Sequence, residues 1–187
     1  MKTINELLKE YIVDGQTGER EIGRYWASDI YPIMKGYLTP EKFFSPQEPD
    51  LTGCKMMITG EAFEEKLEQV FRKLNVDFEY QLKKEIVIND EIVLVVRPDF
   101  VFPEFIIETK FPFRAVDDVI PERYVYQLEC YYRAFYKKVF LGVLSIPFNV
   151  RLIEYTPSKW RWEKTKNALL QFHNRLKDYN KGRTKLS

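Results

Sequence analysis

Apolar positions recur along the chain with two periods. Within TGEAFEEKLEQVFRKLN at 59–75, Phe63, Leu67, Val70, Phe71 and Leu74 fall at helical spacing. That pattern predicts a helix with Thr59 as its cap. Glu64 lies at the edge of the apolar stripe, while Glu65 and Glu68 point outward. The strand-like runs FEYQLKKEIVI at 78–88, EIVLVVRPDFVF at 91–102 and FIIETKF at 105–111 follow. They predict three strands that turn at Asn89-Asp90 and Pro103-Glu104. After a loop, FRAVDDVIP, a helix is predicted from about 121 to 138, with Tyr124, Gln127, Leu128, Tyr131 and Phe135 along one face. VFLGVLSI and VRLIEY predict a hairpin across Pro147–Asn149. A last helix is expected over 157–179, with Thr156 as cap and Pro157 in its first position.

The N-terminal part is less regular. Residues 3–12 predict a short amphipathic helix, and GQTGER at 15–20 a turn. In the aromatic stretch that begins WASDIYPIMKG, Ser28 is placed to cap a short helix from near Asp29, with Pro32 in its first turn. Pro40, Pro46 and Pro49 mark the remainder as a loop packed by its own Tyr and Phe residues. The order is helix, three strands, helix, two strands, helix. An α/β fold results, with a central mixed sheet flanked by helices. A single domain of 1–187 is expected: an N-terminal extension (1–58), a core (59–155), and a basic C-terminal helix and tail (156–187).

Composition narrows the chemistry. With 45% apolar residues the chain can bury a real core. It has no apolar run of membrane-spanning length and no signal-peptide core, so an intracellular, cytoplasmic protein is expected, with no membrane partner. Cys54 and Cys130 are the only cysteines and His173 is the only histidine. A four-cysteine zinc or iron–sulfur site within one chain is thereby excluded, and little room is left for a Ser–His–Asp arrangement. Any metal site should be built from oxygen ligands, which favours Mg²⁺ or Mn²⁺. The net charge of +1 hides an asymmetry: residues 156–187 carry nine Lys or Arg against two acids, net +7, on a body of net −6. Such a tail can bind a polyanion through Arg175, Lys177, Lys181, Arg183 and Lys185, and it can equally be a solvated helix face.

The run RPDFVFPEFIIETK at 97–110 sets charges inside apolar strands. A turn at Pro103-Glu104 puts Val101 opposite Ile106 and Asp99 opposite Glu108, with Lys110 on the same face. Two carboxylates this close repel each other. A divalent cation between them would hold both ionised, with Glu64 and the backbone carbonyl of Thr109 as further ligands, and Lys110 beside the reacting phosphate. The other reading of the same residues is a set of structural salt bridges among Asp99, Glu108, Lys110 and Arg97.

Pro98-Asp99 and Glu108-Thr109-Lys110 also resemble the PD and ExK motifs of the PD-(D/E)XK nuclease superfamily. QLECY at 127–131 resembles the Gln-x-x-x-Tyr motif of its RecB-type branch, which includes the CRISPR-associated RecB-like exonucleases. The resemblance covers roughly residues 59–155. It implies a restriction-endonuclease-like fold and Mg²⁺- or Mn²⁺-dependent hydrolysis of DNA phosphodiester bonds. It also implies roles by position. Asp99 and Glu108 match the metal-binding acids, Lys110 the catalytic lysine, and Gln127 and Tyr131 a pair near substrate. Gln127 and Tyr131 are also i and i+4 on one helix face, which ordinary packing explains. Gly60 is followed four residues on by Glu64, where many RecB-type members have a metal-binding histidine; Glu61 competes for that place. WASDIYPIMKG resembles the region that holds the first cluster cysteine in the CRISPR-associated members. It has no cysteine here, so no iron–sulfur cluster is expected.

The resemblance makes an exonuclease on single-stranded DNA or DNA ends the first expectation. A structure-specific endonuclease or Holliday-junction resolvase, which would work as a homo-oligomer, stands beside it. So does a silent nucleic-acid-binding protein. Trp160, Trp162 and Tyr37 are candidates to stack on unpaired bases.

Overall fold

The computed structural model describes residues 3–15, 20–45, 49–111, 119–145 and 149–184. Helices α1 (Ile4–Gly15), α2 (Ile30–Met34), α3 (Pro40–Phe44), α4 (Leu51–Lys73), α5 (Glu122–Phe135) and α6 (Lys159–Thr184) flank eight strands. The strands are β1 (Arg24–Trp26), β2 (Glu79–Tyr80), β3 (Lys84–Asn89), β4 (Ile92–Val96), β5 (Phe100–Val101), β6 (Phe105–Lys110), β7 (Lys138–Ser145) and β8 (Asn149–Glu154). Among the described residues they form two sheets, ordered β1-β4-β3 and β2-β5-β6-β7-β8. Both are mixed: β1 runs parallel to β4 and β6 parallel to β7, and the other pairs are antiparallel. This is the expected α/β architecture. No described helix is long and apolar enough to cross a membrane.

The hairpin register follows the two-residue period. Val101 pairs with Ile106 and Phe100 with Ile107, and the Phe102 N–H donates to Phe105 O. Two expected strands are each broken in two. The run 91–102 divides into β4 and β5 at Arg97-Pro98-Asp99, because Pro98 has no N–H for the ladder. The run 78–88 divides into β2 and β3 where Gln81 takes a left-handed φ of 49°. The two breaks lie side by side, joined by Gln81 N–H donating to the Asp99 carbonyl at 2.9 Å. The chain thus changes sheets at the place where its acidic residue sits.

Helix starts differ more. α4 begins at Leu51, not at 59, because Asp50 accepts from the Gly53 N–H at 2.7 Å and caps it. Thr59 is inside the helix and donates its hydroxyl to the Lys55 carbonyl. α6 begins after Ser158, whose hydroxyl accepts from the Arg161 N–H, so Thr156 is not its cap and Pro157 lies outside it. α6 also runs past 179, and α5 ends at Phe135 with Tyr136 left-handed behind it. In the aromatic N-terminal stretch Asp29, not Ser28, sits at the head of α2. Pro32 falls early in that helix, where its missing N–H costs little. The segment expected to be all loop contains α3, capped by the Thr39 hydroxyl with Pro40 in its first turn. Residues 16–19, 112–118 and 146–148 fall outside the described ones. They include most of the expected GQTGER turn and FRAVDDVIP loop and the tip of the last hairpin.

One core joins both sheets to α5 and α6. Tyr25, Leu94, Ile106, Leu128, Leu141, Leu169 and Phe172 are completely buried within it. A smaller aromatic cluster, Phe100 and Phe102 with Phe71 and Phe78, seats α4 on the five-stranded sheet.

Candidate active site

The strand break and β6 open onto one cavity of about 520 Å³, lined by Glu61, Glu64, Asp99, Glu108, Thr109, Lys110, Gln127 and Tyr131 among others. All seven residues singled out as site candidates therefore converge. β6 contributes Glu108, Thr109 and Lys110, and its four central residues are buried between β5 and β7. Asp99 comes from the end of the broken strand, Glu64 from α4, and Gln127 and Tyr131 from successive turns of α5.

Asp99 and Glu108 are 8% and 2% exposed, so their charges need partners. Asp99 Oδ2 accepts from the Thr109 N–H at 2.6 Å and from its hydroxyl at 2.7 Å. Glu108 Oε1 accepts from Lys110 Nζ at 2.6 Å and from Gln127 Nε2 at 2.9 Å. Gln127 Nε2 also donates to the Tyr131 hydroxyl at 2.6 Å, and that hydroxyl points to the Arg97 carbonyl at 3.4 Å. A chain of contacts thus runs from the strand break, through α5, to Glu108. Glu108 Oε2 is buried with no hydrogen-bond partner among the described residues.

The electrostatics follow from three carboxylates around one ammonium. Burial, reinforced by the Glu108 charge, lifts Asp99 well above the carboxylate range, with Lys110 opposing. Burial lifts Glu64 to about 7, Lys110 pulling it down and Glu108 pushing it up. Burial alone would lower Lys110; the charges of Glu108 and Asp99 outweigh it, and the ammonium is held more firmly than usual. Burial likewise holds the Tyr131 phenol well above its ordinary value.

Among the described residues, no three His, Cys, Asp or Glu side chains are drawn together as a metal-binding group. The Lys110–Glu108 ion pair and the Thr109 bonds to Asp99 hold the carboxylates instead. The donor set nevertheless fits a hard cation. The carboxylates and the Thr109 carbonyl supply oxygen, and Glu108 Oε2 is a buried acceptor with no partner among the described residues. Glu61 shares the cavity with Glu64 but is exposed, whereas Glu64 is half-buried.

Trp26, Gln81, Arg123 and Tyr124 also line the cavity, and sequence reasoning did not assign them there; Arg97, which it set beside the acids as a salt-bridge partner, lines it too. Arg97 does not bridge the acids. Its guanidinium stands 5.6 Å from the centre of the Trp26 ring, with Lys83 also 5.6 Å from that centre. Tyr124 lies beneath both Lys110 and Arg123. Arg97, next to Pro98-Asp99, was the one readable signal. Of the other candidates, Lys177 is paired with Glu91, Trp162 is half-buried beside Arg133, and Trp160 and Tyr37 are each 61% exposed. The side chain of Arg183 and all of Lys185 lie outside the described residues.

Strands and helices together form an α/β fold, mixed sheet flanked by helices, consistent with a restriction-endonuclease-like architecture. No protein family and no curated protein matches the sequence. Solved structures do match the fold. The chain is similar to SSO0001 at 17% identity and a TM-score of 0.70, over 94% of this chain and 87% of that one. It is similar to an alkaline exonuclease (LHK-Exo) from Laribacter hongkongensis at 12% identity and a TM-score of 0.61, over 89% and 96%; that enzyme has also been solved with dAMP. A phage related exonuclease from Haemophilus somnus 129PT matches at 12% identity and a TM-score of 0.50, over 88% and 96%. At these identities the likeness is one of fold.

Proposed function

We propose that this protein is a metal-dependent DNA nuclease that hydrolyses phosphodiester bonds, working as an exonuclease on single-stranded DNA or DNA ends. The observation that carries this reading is the convergence of buried Asp99, Glu108 and Lys110 with Glu64 on one cavity. Glu64, Asp99, Glu108 and the carbonyl of Thr109 would hold Mg²⁺ or Mn²⁺. Such an ion, when bound, supplies positive charge at a phosphoryl oxygen and lowers the pKa of water.

The chain's own groups do the rest. Lys110, kept charged by its acidic neighbours, meets negative charge as it develops on the phosphate and orients the attacking water. Gln127 fixes Glu108 through Oε1 and leaves Oε2 without a hydrogen-bond partner among the described residues. Tyr131 in turn holds Gln127. Burial of these groups keeps the local dielectric low, so each interaction counts for more than it would in bulk water. The exonuclease choice draws support from the two exonucleases among the similar structures, one of them solved with dAMP.

A second reading, a silent nucleic-acid-binding protein of the same fold, is favoured by the Lys110–Glu108 ion pair and by the lack of a compact metal group among the described residues. Cleavage of end-labelled single- and double-stranded DNA in Mg²⁺, Mn²⁺ or EDTA separates the two. Activity should require the ion and fall by about 10²–10³ or more in Glu108→Ala and Lys110→Ala. Equal activity in those variants, or none in the parent protein with any divalent ion, removes the nuclease reading. A product ladder distinguishes an exonuclease from an endonuclease or resolvase.

A further inference from the structure

α2 and α6 enclose a second concavity, lined by Lys35, Lys164, Asn167, Gln171, Asn174 and Arg175 over a floor of Ile33, Met34 and Ala168. Residues 164, 167, 168, 171, 174 and 175 share one face of α6 and span about 16 Å of its length. Three cations, of which Lys35 is paired with Glu122, and three amides line this groove, and among the described residues no carboxylate does.

Its position relates it to the active site. Lys35 Nζ is 2.9 Å from Glu122, the first residue of α5, and the next two residues, Arg123 and Tyr124, line the catalytic cavity. A cleft adjoining that cavity, sharing Glu61, Glu64 and Arg97 with it, is acidic: Glu61, Glu64, Glu65 and Glu68 border it, with Arg97 as its lone cation among the described residues. The two concavities thus differ in the sign of the charge that lines them. Exposed Trp160, which lies under Lys164 at 4.3 Å one helical turn before the groove, and exposed Tyr37, next to Gly36 of the groove, offer ring faces at its borders.

We infer that the α2/α6 groove carries a single DNA strand to or from the active site. Lys164 and Arg175 contact its phosphates, the amides give sequence-tolerant hydrogen bonds, and Trp160 stacks on an unpaired base. The inference rests on the nuclease reading for its destination, but the groove's binding can be measured apart from cleavage.

The experiment uses the full chain and fluorescent oligothymidylate of about 20 nucleotides in EDTA, titrated across salt concentrations. In Lys164→Glu/Arg175→Glu the affinity should fall about tenfold or more. The slope of log K against log salt should shrink by about 1.4, two phosphate contacts at roughly 0.7 each. Trp160→Ala should weaken binding severalfold without altering that slope. In Mg²⁺ or Mn²⁺ the double variant should raise KM for the long strand and leave kcat in place. A thermal melt confirms that the exposed substitutions leave the fold intact. Unchanged affinity and slope in the double variant overturn the groove, even where cleavage is normal. Equal losses on a blunt duplex, with no effect of Trp160→Ala, also overturn it and indicate a general polyanion surface. Groove-dependent binding in a parent protein that never cleaves would keep the groove and remove the nuclease reading.

Discussion

At Glu108 the two carboxylate oxygens are unlike: one accepts from Lys110 and Gln127, the other is buried without a partner among the described residues. Next to it, Asp99 is held well above its ordinary range by burial and by the Glu108 charge. Asp99→Asn keeps an acceptor for Thr109 and removes one of two crowded charges. In EDTA at pH 8 it should be more stable than the parent by on the order of 1 kcal/mol, and with Mg²⁺ or Mn²⁺ supplied it should lose cleavage. A lower melting point would show that the charge itself supports the fold. Glu64 gives the same argument a pH axis. Its folded value of about 7 lies above its ordinary 4.5. Between those values the native state keeps a proton that the unfolded chain has released. The Glu64 contribution to metal-free stability is therefore fully present below about pH 4.5 and declines as pH rises through 7, by roughly 1–2 kcal/mol after solvent screening. Urea unfolding in EDTA at several pH values measures this, and Glu64→Gln should flatten the curve. Mn²⁺ affinity should rise through the same window, because a ligand carboxylate must first lose its proton. The acids and lysine were readable because charges within apolar strands demand an explanation. Trp26, Arg123 and Tyr124 were not, because aromatic and basic residues are common and only the fold brings them to the cavity.

Among the elements, the β5–β6 register was legible from alternation and from the Pro103-Glu104 turn. The strand breaks were not: a left-handed Gln81 leaves no mark in composition, and Pro98 reads as part of a motif before it reads as an interruption. β1, at three residues, is too short to show a period. α4 started early because Asp50 was hidden among prolines and because Thr52, Gly53 and Gly60 look unlike helix. Asp50→Ala should cost about 1 kcal/mol by removing its cap. A far larger effect is expected at Gly23, which leads into β1 with φ +94°, where a Cβ would sit 2.4 Å from the Glu91 carbonyl oxygen. Gly23→Ala should destabilise by about 3 kcal/mol or more, since backbone on both sides must move. A shift below about 1 kcal/mol in chemical denaturation would mean that the backbone at the start of β1 yields to a methyl group at little cost.

Over the whole molecule, α6 closes the fold, with Leu169, Phe172 and Leu176 buried against Tyr25 and Phe43. Its start is tied down by completely buried Glu129, which accepts from Arg133, from the Tyr155 hydroxyl and from the Ser158 N–H at 2.9 Å. Glu129→Ala strands a half-buried arginine, the Tyr155 hydroxyl and the Ser158 N–H and frees the helix start, so a loss of about 3 kcal/mol is expected on urea unfolding. The layered α/β plan followed from the order of periods along the chain; this buried knot did not, since Glu129 falls within the Gln127–Tyr131 motif and reads as a surface acid. Between those motif residues lies one more silent group. Cys130 is fully buried, its thiol pushed up by that burial, while Cys54 sits buried near the first turn of α4. The chain thus carries two native alkylation reporters. Cys54 should react with a maleimide whenever the head of α4 frays. Cys130 should react only when the platform beneath Glu108 opens, and Mn²⁺ should slow that second rate alone.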